Sequence, residues 1–170
     1  MALEPIFERG FAPDSYGFRP ARGCKEALRE VDKALHAGLH FVVDADIQGY
    51  FDSIPHDRLM QLIERKIADG RVLSLLRRYL EMDIFDGLKQ WTPEEGTPQG
   101  AIISPLLSNI YLDPLDHRMA EQGFRMVRYA DDFIVLTDSP GKAEAALAEI
   151  REWMDEAGLT LHPEKTRIVD

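Results

Sequence analysis

Three aspartates in this sequence stand where carboxylates fit poorly unless they do chemistry. Asp131 and Asp132 lie side by side in "RMVRYADDFIVL" (125–136), between two apolar runs. Asp46 lies in "HFVVDADI" (40–47), a short run with β-branched residues and acids at alternate positions, Asp44 and Asp46. The first stretch reads as two strands joined by a tight turn at the aspartates, and the second as one strand ending near Asp46. If the single strand and the hairpin are neighbours, three carboxylates converge on one spot. Left alone they would repel one another and hold each other's pKa values up. Divalent cations remove that repulsion. Mg²⁺ takes oxygen ligands, and two ions about 4 Å apart clamp the attacking and leaving oxygens of a phosphoryl displacement. The plain alternative for Asp131 and Asp132 is a solvated surface turn.

The elements that must position these acids follow from periodicity. Residues 1–22 are rich in Gly, Pro and aromatics and read as mostly irregular. "CKEALREVDKALHAG" (24–38) has apolar residues at helical spacing and ends at Gly38. Helices are also expected over 54–70, with Pro55 near the start, and over 71–82. Residues 85–100 are rich in Gly and Pro, so a loop or hairpin is expected. A helix over 104–123 should start at a Ser104 cap followed by Pro105, and Pro114 should kink or divide it. Strands at 124–130 and 132–137 follow, then a helix over 141–158 closed by Gly158. The last stretch, 159–170, reads as a short hairpin. From residue 40 the order is strand, helices, two strands, helix, strand. One antiparallel sheet with helices packed on one face satisfies it: a ferredoxin-like, α+β layout.

Composition narrows the class. At 170 residues the chain fits about one domain and buries roughly 70 % of its unfolded surface. Apolar content of 45 % and charged content of 29 % suit a soluble globular protein. The lone Cys24 leaves no internal disulfide and no cysteine-based zinc site. No apolar run approaches the ~20 residues that span a bilayer. The first residues lack a signal-peptide pattern. A cytoplasmic location without a membrane partner is the default expectation. The net charge of −10 argues against a self-sufficient nucleic-acid binder, which usually carries a basic stripe.

Five blocks, in order, resemble the reverse transcriptases of group II introns and their bacterial relatives. "SYGFRPARGCKEAL" (15–28) resembles the block before the first metal-binding motif, and "VVDADIQGYFDSIPH" (42–56) that motif itself. "GTPQGAIISPLLSNIYLDPLD" (96–116) resembles the nucleotide-and-template motif, "YADD" (129–132) the catalytic signature, and "GLTLHPEKTRIV" (158–169) the motif after it. The resemblance implies a palm over 40–170 preceded by a partial fingers segment over 1–39. The triphosphate-gripping fingers upstream and the basic thumb downstream would lie outside the chain, and their absence would account for the acidic balance. It further implies an RNA template with a DNA primer, a deoxynucleoside triphosphate, two Mg²⁺ ions (with Mn²⁺ a substitute), and attack of the primer 3′-hydroxyl on the α-phosphate. The chain alone is then expected to have little or no activity.

The same resemblance assigns roles. Asp46 is the first metal ligand, with the main-chain carbonyl of Ile47 beside it. Asp131 is shared between the metals and Asp132 lies nearby. Asp44, two residues back on the same strand face, is structural. Phe51 would place a ring under the sugar of the incoming nucleotide, where a 2′-hydroxyl has no room, with Tyr50 the competing ring. Gly49 and Tyr50 could offer backbone N–H groups to the triphosphate. Gln99 would contact the nucleotide, with Gly100 letting the backbone approach. Ala101 and Ile102 follow "QG" where the family often has a small residue. Tyr129 would pack near the primer end, and Lys165 would help protonate the departing pyrophosphate. Arg19 and Arg22 would contact phosphate or template. The competing reading is a non-catalytic maturase module that binds intron RNA, with the acids as relics.

Overall fold

The computed structural model describes residues 3–82, 84–86, 89–91, 95–97 and 102–170. Among them the order is α1 (Glu4–Glu8), α2 (Cys24–His36), β1 (Phe41–Ala45), α3 (Tyr50–Ser53), α4 (His56–Glu64), α5 (Gly70–Leu80), β2 (Ile84–Asp86), β3 (Lys89–Trp91), α6 (Ser104–Glu121), β4 (Arg125–Tyr129), β5 (Asp132–Thr137), α7 (Pro140–Ala157) and β6 (Arg167–Val169). Four strands form one antiparallel sheet in the order β4-β5-β1-β6, and β2 and β3 pair separately as a small hairpin. This is the α+β sheet that the sequence order implies.

Strand alternation divides the sheet into two faces. On β1, Val43 and Ala45 point into the main core, where Ile47 also lies, while Val42 and Asp44 point the other way. Helices α6 and α7 cover the core face. Helix α6 buries residues on nearly every side, from Leu106 and Leu107 through Ile110, Tyr111, Leu112 and Leu115 to Met119, as a helix enclosed by its neighbours must. Helix α7 lays Ala143, Ala146, Ile150, Trp153 and Ala157 against the sheet at helical spacing. It stops at Gly158, whose φ of +69° is the left-handed turn that favours glycine at a helix C-terminus.

The expectation of helices on one face needs an addition. Helix α2 packs on part of the second face, with Ala27, Val31, Ala34 and Leu35 meeting Val127, Ile134, Leu136 and Val42. Those strand residues are apolar, so that half of the face needs a cover. The other half carries the acids and remains open.

Four local expectations are corrected. The helix expected over 54–70 is the shorter α4, His56–Glu64; Ile54 and Pro55 are extended and separate it from the one-turn α3 before it. Helix α6 runs through Pro114 without being divided. Ser104 is the first residue of α6 rather than its cap; it is buried, with its hydroxyl 3.2 Å from that of Tyr79, and Ile103 occupies the cap position. The segment 159–170 is not a hairpin. It is one interrupted strand along the outer edge of β1: Leu161 bridges Ile47, and Arg167–Val169 pair with Asp44–Val42. Residues 163–166 bulge out between the two contacts, with the Thr166 N–H closing on the His162 carbonyl at 3.0 Å.

Candidate active site

The register of β1 and β5 brings the acids together. Ala45 pairs with Phe133 and Asp44 with Ile134. Asp46 and Asp132 are the residues next beyond that last pair on their two chains. Asp44, Asp46 and Asp132 line one cleft of about 450 Å³ between the open half of the sheet and α2. Tyr129, Lys165 and Arg167 line it too, and Cys24 and Leu28 of α2 face them from the other side. Asp131 occupies the turn beside Asp132.

That turn is a two-residue connection, since Tyr129 pairs with Asp132. Its first residue, Ala130, has φ +61°, the left-handed region that such hairpin turns ordinarily give to glycine. The bulge at 163–166 and the start of β6 supply the counter-charges. Lys165 Nζ donates to Asp46 Oδ2 at 3.0 Å, and Arg167 Nε lies 3.5 Å from Asp44 Oδ2. The pKa of Asp132 is raised above the usual carboxylate value. Partial burial is the main cause, repulsion from Asp131, Asp46 and Asp44 adds to it, and Lys165 opposes it. The structure thus draws the aspartates at 46, 131 and 132 into one electrostatic neighbourhood.

Their oxygens are the hard donors that Mg²⁺ takes. In this arrangement Asp46 is held by the Lys165 ammonium, a cation in its own right. Among the described residues no group of three or more His, Cys, Asp or Glu side chains is placed to hold a metal ion.

The other expected residues divide. Tyr129 is partly exposed at the cleft. Ile47 is buried beside the site; its neighbours Asp46 and Gln48 carry the main-chain bonds to the edge segment, through the His162 N–H and the Thr160 carbonyl. Phe51 is half-buried and meets the Tyr50 ring edge-on at 5.5 Å, while its carbonyl accepts from the Thr97 N–H at 2.6 Å. The Tyr50 ring is corrected as a nucleotide contact: it is 2 % exposed and its hydroxyl donates to the Ser108 carbonyl at 2.7 Å. Arg19 is corrected as a nucleic-acid contact. It is buried, its guanidinium donates to Glu8 and to the carbonyls of Ala12 and Ser15, and it lies over the Phe11 ring. Arg22 donates to the Pro13 carbonyl and lies over the Tyr16 ring. Gln99 and Gly100 lie outside the described residues.

Sequence reasoning missed the support beneath the turn, which is Arg128 with Asp116, Asn109 and Gly17. A signal was present. In "RMVRY" the alternation that sends Val127 toward the α2 face sends Arg128 inward with Met126, and an arginine on an inward strand position must find a buried partner.

An antiparallel sheet backed by two helices, with aspartates clustered at the end of one strand and on the adjoining hairpin, is the architecture of a polymerase palm. All of residues 1–170 match the family described as reverse transcriptase (RNA-dependent DNA polymerase), and the chain belongs to that family. Within it, the sequence relatives include a group II intron-encoded protein, which supports a reverse transcriptase of group II intron type. The group II intron-encoded protein LtrA of Lactococcus lactis subsp. cremoris is 41 % identical over 68 % of this chain and 19 % of its own length. Protein YkfC of Escherichia coli (strain K12) is 39 % identical over 72 % of the chain and 33 % of its own length. An uncharacterized 91 kDa protein in the cob intron of Schizosaccharomyces pombe is 30 % identical over the whole chain and 28 % of its own length. The chain therefore spans a third or less of these relatives. Among solved structures, telomerase from Candida albicans superposes with a TM-score of 0.75, covering 99 % of this chain and 33 % of that one at 14 % identity, which shows a shared fold. Among the described residues no helix is long and apolar enough to cross a membrane.

Proposed function

We propose that this chain is the catalytic palm of an RNA-directed DNA polymerase that transfers a nucleotide from a deoxynucleoside triphosphate to a primer 3′-hydroxyl. The observation that carries the reading is the β1–β5 register, which brings Asp46 and Asp132 into one open cleft beside the Asp131 turn. Three acids so placed cost stability unless something positive is held among them. Asp46, Asp131 and Asp132 would hold Mg²⁺, with Asp46 exchanging the Lys165 ammonium for the ion. Bound magnesium would neutralise charge at the attacking and leaving oxygens.

The chain's own groups supply the rest. Lys165, freed from Asp46, remains in the cleft as the cation or proton donor for the departing pyrophosphate. Tyr129 offers a partly exposed aromatic surface for the primer end, and Phe51 a half-buried ring for the sugar of the incoming nucleotide. Two of the relatives are intron-encoded, and the Candida albicans telomerase was solved with a fragment of telomeric RNA. Both favour an RNA template, and an intron RNA is the natural candidate.

The test is primer extension on a primed RNA template, with the chain in its full reading frame. Asp46→Asn and Asp131→Asn are each expected to lower single-turnover incorporation by more than about 10²-fold. Full-rate extension by both variants would refute the reading. A protein that binds intron RNA but neither extends primers nor responds to Mg²⁺ would establish the non-catalytic maturase module instead.

A further inference from the structure

The most unusual side chain in the molecule lies directly beneath the proposed acids. Arg128, in the middle of β4, is 0 % exposed. An arginine so placed must satisfy a rigid fork of donors. Here four of its five N–H donors have acceptors within the fold. Nε and Nη2 donate to the two oxygens of Asp116 on α6 at 2.7 and 2.5 Å, a bidentate pair. Nη1 donates to Asn109 Oδ1 at 2.8 Å and to the main-chain carbonyl of Ala130 at 2.7 Å.

Ala130 is the residue that turns the chain between the strands, at φ +61°. A non-glycine residue keeps that conformation only where its surroundings fix it. Besides Arg128, one other element presses on it. A Cβ on Gly17 would come within 2.8 Å of the Ala130 Cα and closer still to its nitrogen, so the 14–17 segment lies directly on the turn. The segment is tied down on both sides of Arg128. The Arg128 N–H donates to the Asp14 carbonyl at 3.0 Å, the Tyr16 N–H to the Arg128 carbonyl at 2.8 Å, and Asn109 Nδ2 to the Gly17 carbonyl at 2.9 Å.

A buried ion pair is weak evidence for stability, because well-packed apolar residues often replace one at no loss. An apolar pair could fill the same space, but it could not hold the Ala130 carbonyl. We propose that Arg128, clamped by Asp116 and Asn109, is a positioning residue that fixes the Ala130 turn and so sets the placement of Asp131 and Asp132. The inference rests on the reading of those two aspartates as the working acids.

Two variants test it. Arg128→Lys keeps the charge but cannot serve Asp116, Asn109 and Ala130 at once. Asn109→Ala leaves the Arg128–Asp116 pair intact while removing the Asn109 hold on both Arg128 and the Gly17 carbonyl, so it reports on the clamp even if Arg128→Lys fails to fold. Two quantities are measured on the 170-residue chain: amide hydrogen exchange at Tyr129 and Asp132 relative to Val135 in the centre of β5, and Mn²⁺ affinity. Exchange at the turn is expected to rise at least about tenfold more than at Val135, and Mn²⁺ affinity to fall about 10- to 100-fold, as when the groups that orient metal ligands are removed. Exchange that rises equally at the turn and at Val135, or at neither, makes Arg128 a stability residue and overturns the proposal. A loosened turn with unchanged Mn²⁺ affinity overturns it as well. A wild-type chain that takes up no Mn²⁺, together with a selectively loosened turn in the variants, overturns the functional reading and leaves the hold on the turn standing.

Discussion

Asp132→Asn should stabilise the protein at neutral pH in the presence of a chelator. Asp132 lines the same cleft as Asp46 and Asp44 and follows Asp131 directly, and its pKa is raised by burial and by those three charges. A carboxylate whose folded pKa lies above its unfolded value binds its proton more tightly when folded. Its penalty is therefore absent below the ordinary value near 3.9 and grows as pH rises through the folded value. Like charges on facing cross-strand residues have Cβ atoms about 5 Å apart, and at a solvent-like dielectric each pair costs about 1 kcal/mol. Lys165 offsets part of this, and Asp132 is exposed enough for water to screen much of the rest, so the net gain should be about 1 kcal/mol or less. For a chain of this size that corresponds to about 2–4 °C in Tm. Thermal unfolding followed by circular dichroism should show the rise near pH 7 and its disappearance as pH falls below about 4. A Tm that Asp132→Asn leaves unchanged or lowers at neutral pH without divalent cations would mean that the neighbouring charges do not destabilise Asp132.

Lys165→Met should cost at most about 1 kcal/mol in Tm measurements, because the ion pair with Asp46 is largely exposed. In single-turnover extension it should cost about 10²–10⁴-fold in rate, as the loss of a proton donor does. Arg19→Met removes the donor that serves the Glu8 carboxylate and the carbonyls of Ala12 and Ser15. It should destabilise by about 2–4 kcal/mol in urea unfolding, while the salt dependence of RNA binding keeps its slope; a flatter slope would return Arg19 to the nucleic-acid surface. Gly17→Ala drives a Cβ into the Ala130 backbone and should cost more than about 3 kcal/mol by the same urea assay, despite being the smallest possible change.

The gathering of these aspartates was legible because their positions break a pattern. Aspartates at the end of an apolar strand and on a two-residue turn contradict strand chemistry, and the alternation of β1 then sends Asp44 and Asp46 to one face. The sheet itself follows from the order of apolar runs. Arg19 was misread because a "GFRPARG" loop gives no sign that Glu8, eleven positions earlier, folds back to meet it. The end of the chain was misread because Pro163 and Glu164 look like a hairpin turn. Local turn chemistry is the same whether a chain reverses or merely bulges, and only the unpaired outer edge of β1 decides between them. Arg128 was overlooked because charged residues are counted as surface until a partner is known, and Asp116 lies on a helix that sequence alone cannot dock beneath β4.

In the proposed function, positions 46, 131 and 132 serve one cation-holding site. Calorimetric titration of the chain with Mn²⁺ tests this most directly, with Asp46→Asn and Asp131→Asn run alongside. Saturable binding by the wild-type chain is expected, and each substitution should abolish it although the two residues lie 85 positions apart in the sequence. Binding that survives Asp46→Asn undiminished, or no binding by the wild-type chain, would contradict it.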